Sequence, residues 1–168
     1  MNILVVRHAI AEDAAAWAAT GEPDERRPLT DEGRKKMRKG ARGLRALVRR
    51  IDLLATSPLV RAVQTAEVVA REYDALAVTV SDVLAPGRQP GAFLEWLRSL
   101  DQVGTLAVVG HDPHLPALVS WLLTGQEGGV IELKKGGACL LQLEPAGAPG
   151  NALLSWLLTP DQLRALRK

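Results

Sequence analysis

Three short segments combine residue types suited to handling a phosphoryl group. Arg7-His8 follows the apolar run Ile3 to Val6, Ser57-Pro58-Leu59-Val60-Arg61 follows Leu53 to Thr56, and Gly110-His111-Asp112-Pro113 follows Thr105 to Val109. Two arginines and two histidines thus stand directly after apolar runs. The planar fork of arginine binds two oxygens of one phosphate and stays charged at any physiological pH. A neutral imidazole is a competent nucleophile, and a second imidazole, protonated beside a dianion, is a cationic donor. Phosphoryl transfer needs an in-line nucleophile, charge stabilisation on the equatorial oxygens and rather little else. His8 is therefore the candidate nucleophile, and Arg7, Arg61 and His111 are the candidate phosphate pocket.

For these segments to meet, the apolar runs must be neighbouring strands. Ile3 to Val6, Leu53 to Thr56, Ala77 to Val80 and Thr105 to Val109 read as short buried strands. Between them lie helical patterns. Thr30 caps a helix whose apolar stripe is Met37, Ala41, Leu44, Val48 and Ile51. Ser57-Pro58 and Asp112-Pro113 both read as N-cap and first helical residue, opening helices to about Tyr73 and Leu123. Ala92 to Leu100 reads as a helix after the loop Pro86 to Gly91. Ala138 to Leu143 and Leu153 to Leu158 read as late strands separated by a Pro/Gly turn, and a short helix opens at Pro160. Alternating strands and helices predict a three-layer α/β/α sandwich with a central, mostly parallel sheet, in one domain over 1–168. Ligands of such sheets gather at the carboxyl ends of the strands, where the three segments fall.

Composition bounds the reading. The 168 residues are 47% hydrophobic and 24% charged, with a formal charge of +2 and one cysteine. That mixture excludes disorder, and the balance gives no ground for nucleic acid. A lone Cys139 in an apolar run is read as core. With no signal peptide pattern and no apolar run of ~20 residues, no membrane role is expected and the reading is a cytoplasmic protein. Arg34 to Arg50 is basic without an intervening acid. The plain reading is a solvated helix face. A sharper one is a docking surface for an acidic partner, while RNA comes third because no aromatic residues interleave. His114 is read as bordering the site at most. No third ligand with metal spacing joins it and His111, so no metal is expected. Trp17, Trp96, Trp121 and Trp156 are read as core or lid packing.

The series Arg7-His8-Ala9, Pro28-Leu29-Thr30 with Gly33, Ser57-Pro58-x-x-Arg61-Ala62-x-Gln64-Thr65-Ala66 and Gly110-His111-Asp112-Pro113 resembles the motifs of the histidine phosphatase superfamily. Within it the chain resembles the SixA-type phosphohistidine phosphatases, over nearly its whole length. The resemblance implies a phosphatase that needs no metal and no organic cofactor and is phosphorylated on His8, with Arg7, Arg61 and His111 around the phosphate. Asp24 and Arg27 resemble a charged pair of that branch, and Arg27 is a candidate substrate contact, as are Ser57 and Asp82.

Two departures stand out. Ala9 replaces a more usual glycine. Many superfamily members acting on phosphate esters place a general acid in the region 81–90, where Asp82 is the only carboxylate here. Expelling an alkoxide needs a proton, and a positioned acid is worth ~10²–10⁴-fold. Imidazole, with a parent pKa near ~6.5, is a far better leaving group. The sequence therefore favours a phosphohistidine on another protein, for example a phosphorelay or phosphotransfer domain. A small-molecule phosphomonoesterase, with Asp82 or water supplying the proton, is the second reading. A phosphoprotein-binding module without turnover is the third.

Overall fold

Alternation along the first strand explains the layering. In β1 (Asn2–Arg7) Ile3 and Val5 join one apolar cluster and Leu4 and Val6 join another, and all four are buried. The computed structural model describes residues 1–144 and 147–166. Its other strands are β2 (Leu53–Thr56), β3 (Val78–Val80), β4 (Thr105–Gly110), β5 (Ala138–Leu143) and β6 (Ala152–Leu158). They form one sheet of order β3-β2-β4-β1-β5-β6, in which β1 to β4 run parallel and β5 and β6 are antiparallel additions. The Pro/Gly turn expected before β6 includes Pro145 and Ala146, which lie outside the described residues.

Among the described residues six helices complete the fold: α1 (Ala14–Ala18), α2 (Asp31–Leu47), α3 (Val60–Glu72), α4 (Pro90–Arg98), α5 (His114–Thr124) and α6 (Pro160–Ala165). Residues of α2, α3 and α6 pack on the Leu4 and Val6 side, while α4 and α5 cover the Ile3 and Val5 side. The expected three-layer sandwich is thus the observed one. Cys139 is buried in the α4/α5 layer. No described helix is long and apolar enough to cross a membrane.

Several boundaries differ from the sequence reading. Helix α2 is capped as expected, Thr30 Oγ accepting from the Gly33 N–H at 2.9 Å. It stops at Leu47, however, and Val48 is extended with its carbonyl accepting from the Tyr73 hydroxyl at 2.8 Å. Val48 and Ile51 still reach the core, from the loop instead of the helix. Neither serine-proline nor aspartate-proline pair opens its helix. Helix α3 begins at Val60 after an extended Leu59, and α5 begins at His114. In both places the side chain expected to cap is engaged elsewhere, as the site makes plain.

Two glycines of α2 are used in opposite ways. A Cβ on Gly43 would overlap the Leu163 carbonyl, so Gly43 lets α6 lie directly on α2. A Cβ on Gly40 would meet nothing within 4 Å. Glycine inside a helix costs ~1 kcal/mol relative to alanine. Gly40→Ala should therefore raise stability in urea denaturation by about that amount. Gly43→Ala should lower it, because helix α6 must move; equal effects of one sign would contradict this packing.

Candidate active site

Strand register builds the site. β1 and β4 pair in parallel with Arg7 opposite Gly110, so His8 and His111 leave adjacent strand ends together. The His8 N–H donates to the Gly110 carbonyl at 2.9 Å, and the two imidazoles lie 5.2 Å apart, centroid to centroid. β2 pairs with β4 on its other side, and the Ser57 N–H donates to the Val109 carbonyl at 3.0 Å. Arg61 is then carried in by the first turn of α3. Thr65 Oγ fixes this helix to the strand end, donating to the Arg61 carbonyl and accepting from the Ala9 N–H.

The ring of His8 is held in one tautomer. Its Nδ1 lies 2.7 Å from the Ala9 carbonyl, which can only accept, so Nδ1 carries the hydrogen and Nε2 keeps its lone pair. Burial, reinforced by Arg61, Arg7 and Lys135, pushes the His8 pKa down to about 4 despite the bond to Ala9. His111 is pushed to about 3, first by burial and then by His8 and Arg61. Both imidazoles are therefore neutral at pH 7 in the free protein, and a protonated His111 requires an anion beside it. Ser57 Oγ accepts from the Leu59 N–H at 3.3 Å and lies 2.7 Å from His111 Nε2; its hydroxyl has no other acceptor among the described residues, so its hydrogen is assigned to that nitrogen. That assignment leaves His111 Nδ1–H as a free donor.

A cleft of about 560 Å³ opens over these groups, within the range of small-ligand sites. Of the residues expected from the sequence, Arg7, His8, Arg27, Arg61 and His111 line it. Ser57 is fully buried and reaches the cleft only through His111. Asp82 is exposed at the start of a 3₁₀ turn (Asp82–Leu84) and does not line the cleft; Ala85 and Pro86 do. His114 is buried in the first turn of α5 and is likewise absent from the lining.

The cleft is less positive than four cations would make it. Asp24, on a 3₁₀ turn (Asp24–Arg26), binds Arg61 through its carboxylate at 3.0 Å and its carbonyl at 2.9 Å, and binds Arg27 Nε at 2.7 Å. Burial works against that carboxylate, but Arg27 and Arg61 outweigh it and hold Asp24 below its ordinary pKa. Trp17 of α1, half-buried, donates to the Pro23 carbonyl and ties this turn down. Asp112 pairs with Arg7 Nη1 at 2.8 Å, which is why it does not cap α5. Sequence reasoning missed Glu25 and Lys135, which also line the cleft. Arg7 Nε, Arg61 Nε and His111 Nδ1 are buried without a partner among the described residues. No group of three or more His, Cys, Asp or Glu among the described residues could hold a metal ion.

This fold and this cluster of arginine and histidine at parallel strand ends define a class of phosphoryl-handling α/β protein. A sequence model of the histidine phosphatase superfamily (branch 1) matches residues 3–85, which include Arg7, His8 and Arg61 but not His111. A protein of uncharacterised function from Picosynechococcus sp. is 37% identical over 139 residues, covering 82% of each chain. The structure of the protein histidine phosphatase SixA complexed with tungstate is similar with a TM-score of 0.82 and 27% identity, covering 97% of this chain and 99% of that one. A structure assigned to the phosphohistidine phosphatase SixA of Agrobacterium tumefaciens, 23% identical, shares the fold with a TM-score of 0.75, covering 95% and 97%. The chain belongs to the histidine phosphatase superfamily and is a phosphatase.

The depressed pKa values have a direct readout. Both imidazoles bind a proton less readily folded than unfolded, so their contribution to stability is intact above the ordinary value of 6.5. It is lost as pH falls from there toward 4. In NMR titrations the His8 and His111 ring signals should stay constant from pH 8 to about 5.5, and thermal stability should fall over pH 6.5 to 4. A His8 titration centred near its ordinary value would refute the site electrostatics.

Proposed function

We propose that this phosphatase removes the phosphoryl group from a phosphohistidine on another protein, such as a phosphorelay or phosphotransfer domain, through a phosphohistidine formed on His8. One observation carries the reading. Three buried donors without partners belong to residues that line a single cleft, beside an imidazole whose Nε2 lone pair is free. A buried donor left unpaired costs ~1–3 kcal/mol, which phosphoryl oxygens on Arg7, Arg61 and His111 would recover. SixA, whose structure is similar over nearly the whole chain, was solved in complex with tungstate, a tetrahedral oxyanion, which supports an oxyanion as the guest.

The steps follow from the tautomer. His8 Nε2 forms a bond to phosphorus as the bond from phosphorus to the substrate imidazole breaks, and the departing ring keeps that electron pair. His8 is then a phosphorylated imidazolium whose Nδ1–H stays on the Ala9 carbonyl. Water attacks phosphorus, the bond to Nε2 breaks, and inorganic phosphate leaves with neutral His8 restored. Arg7 and Arg61 bear the charge on the equatorial oxygens throughout, and the anion stabilises a protonated His111 as a further donor.

The choice of a nitrogen leaving group rests on the carboxylates. Asp24 is held ionised by Arg27 and Arg61, and a carboxylate so held is a poor proton donor, while Asp112 is engaged in an ion pair with Arg7. The segment 81–90 offers Ala85 and Pro86 to the cleft instead of an acid. An imidazole that departs already protonated needs none. One observation favours ester hydrolysis: Glu25 lines the cleft, is exposed, and makes no ion pair among the described residues.

Initial rates on a phosphohistidine peptide and a phosphoserine peptide, with EDTA present, test the reading. Phosphohistidine should be preferred by at least about 100-fold, the worth of a missing acid. Acid-labile phosphate should be trapped in the wild type and absent from His8→Ala, whose turnover should vanish. Comparable rates on the two peptides would move the assignment to small phosphate esters.

Replacing the two free carboxylates separates the readings further. Glu25→Gln and Asp82→Asn should each leave phosphohistidine turnover within about threefold, because neither supplies a required proton. A loss of about 100-fold on phosphoserine in Glu25→Gln alone would make Glu25 the acid of an ester hydrolase.

A further inference from the structure

A second cavity, of about 200 Å³, lies between α2, α6 and the turn at 134–137, next to the cleft. The two share Lys135, and Ala9, whose carbonyl holds His8, lines the second cavity too. Its apolar wall is Ile10, Met37 and Pro160, and its charged residues are Lys36, Lys135, Arg164 and Asp161. Sites for free small molecules run to ~300–1,000 Å³, so this one has room for a single side chain.

Two observations point to an anionic side chain. Lys36 is paired with Glu32 and Arg164 with Asp161, whereas Lys135 makes no ion pair or hydrogen bond among the described residues. Its ammonium therefore has capacity for a carboxylate at the boundary of the two cavities. The second observation is Gly40. Gly33 and Gly43 in the same helix are required by backbone lying against them, but nothing stands within 4 Å of a Cβ at Gly40. A glycine is disfavoured in a helix interior, and packing within the chain does not call for this one. What it provides is space in this cavity.

We infer that this cavity receives an acidic side chain of the phosphoprotein substrate, placed a few residues from the phosphohistidine; the inference rests on the function proposed above. The methylenes of that side chain pack on Met37 and Pro160 while its carboxylate meets Lys135. Charge along α2 fits such a partner: Arg34, Lys35, Arg38 and Lys39 make no ion pair among the described residues. Their field draws in an acidic surface and orients it before contact.

The test uses phosphohistidine peptides in an alanine background, each carrying one glutamate at a different position around the phosphohistidine. One register should raise the wild-type kcat/KM by about tenfold, mainly through KM, as one charge-assisted hydrogen bond would. Gly40→Leu, which fills the cavity, should erase that gain while leaving the rate on the all-alanine peptide unchanged. Gly40→Ala, which adds only a methyl group, controls for folding by its melting temperature. A flat profile across registers in the wild type overturns the inference without any variant, as does a gain that survives Gly40→Leu. Should the wild type cleave phosphoserine and no phosphohistidine peptide, the proposed function fails first and the inference falls with it.

Discussion

The pairing of β1 with β4 is the constraint on which the site depends. Parallel strands in fixed register bring residues that are distant in sequence to the same level, and here that level ends at Arg7 and Gly110. Everything chemical begins one residue later. His8 is fastened on two sides, its N–H on the Gly110 carbonyl and its own carbonyl accepting from the Gly136 N–H. Its ring is fastened in turn by the next residue in the chain. Such a group has almost no freedom to lose when it reacts, and preorganisation of this kind is where much of a catalytic advantage arises. Slipping the register by one residue would separate the imidazoles and turn the core side chains to the wrong faces.

Around that fixed centre the electrostatics are balanced. Three arginines and a lysine would repel one another in a bare cleft, and Asp24 and Asp112 relieve this while orienting the guanidinium groups. In the proposed reaction an incoming phosphoryl group would share Arg61 with Asp24, and would find the arginine already placed. Burial would serve both ends of the proposed reaction. It keeps the imidazoles neutral, so a lone pair exists, and it strengthens the attraction of the same cleft for a dianion.

Much of this was legible in the sequence because the strands are buried on both faces. Continuous apolar runs such as Leu4 to Val6 and Leu106 to Val109 leave little alternative, and the rule that ligands gather at strand ends then points to His8, Arg61 and His111. What failed were local rules that tertiary contacts overrode. Ser57-Pro58 and Asp112-Pro113 look like helix starts, yet Ser57 is bonded to His111 and Asp112 to Arg7. Neither partner is near in sequence, so no local pattern could announce them. Lys135 lay hidden for a similar reason: Lys134-Lys135-Gly136-Gly137 reads as an ordinary turn, and only the pairing of β5 with β1 brings it to the cleft. Asp82 erred in the other direction. Leu84 anchors its 3₁₀ turn in the core, and the aspartate two residues earlier is left exposed.

The shape of the cleft bears on which phosphorylated side chain it suits. His8 is only 6% exposed, at the floor of a cleft rimmed by Glu25, Pro86 and Lys135. A nucleophile so buried favours a substrate whose phosphorus stands well beyond its backbone. Phosphoserine carries its phosphorus one bond beyond a short hydroxymethyl arm, whereas phosphohistidine carries it at the far edge of a ring. On the proposed function, the longer arm would reach the buried imidazole without asking the partner's backbone to enter. Reach and leaving-group basicity are independent properties of the substrate, one geometric and one electronic. Both support the phosphohistidine of the proposed function.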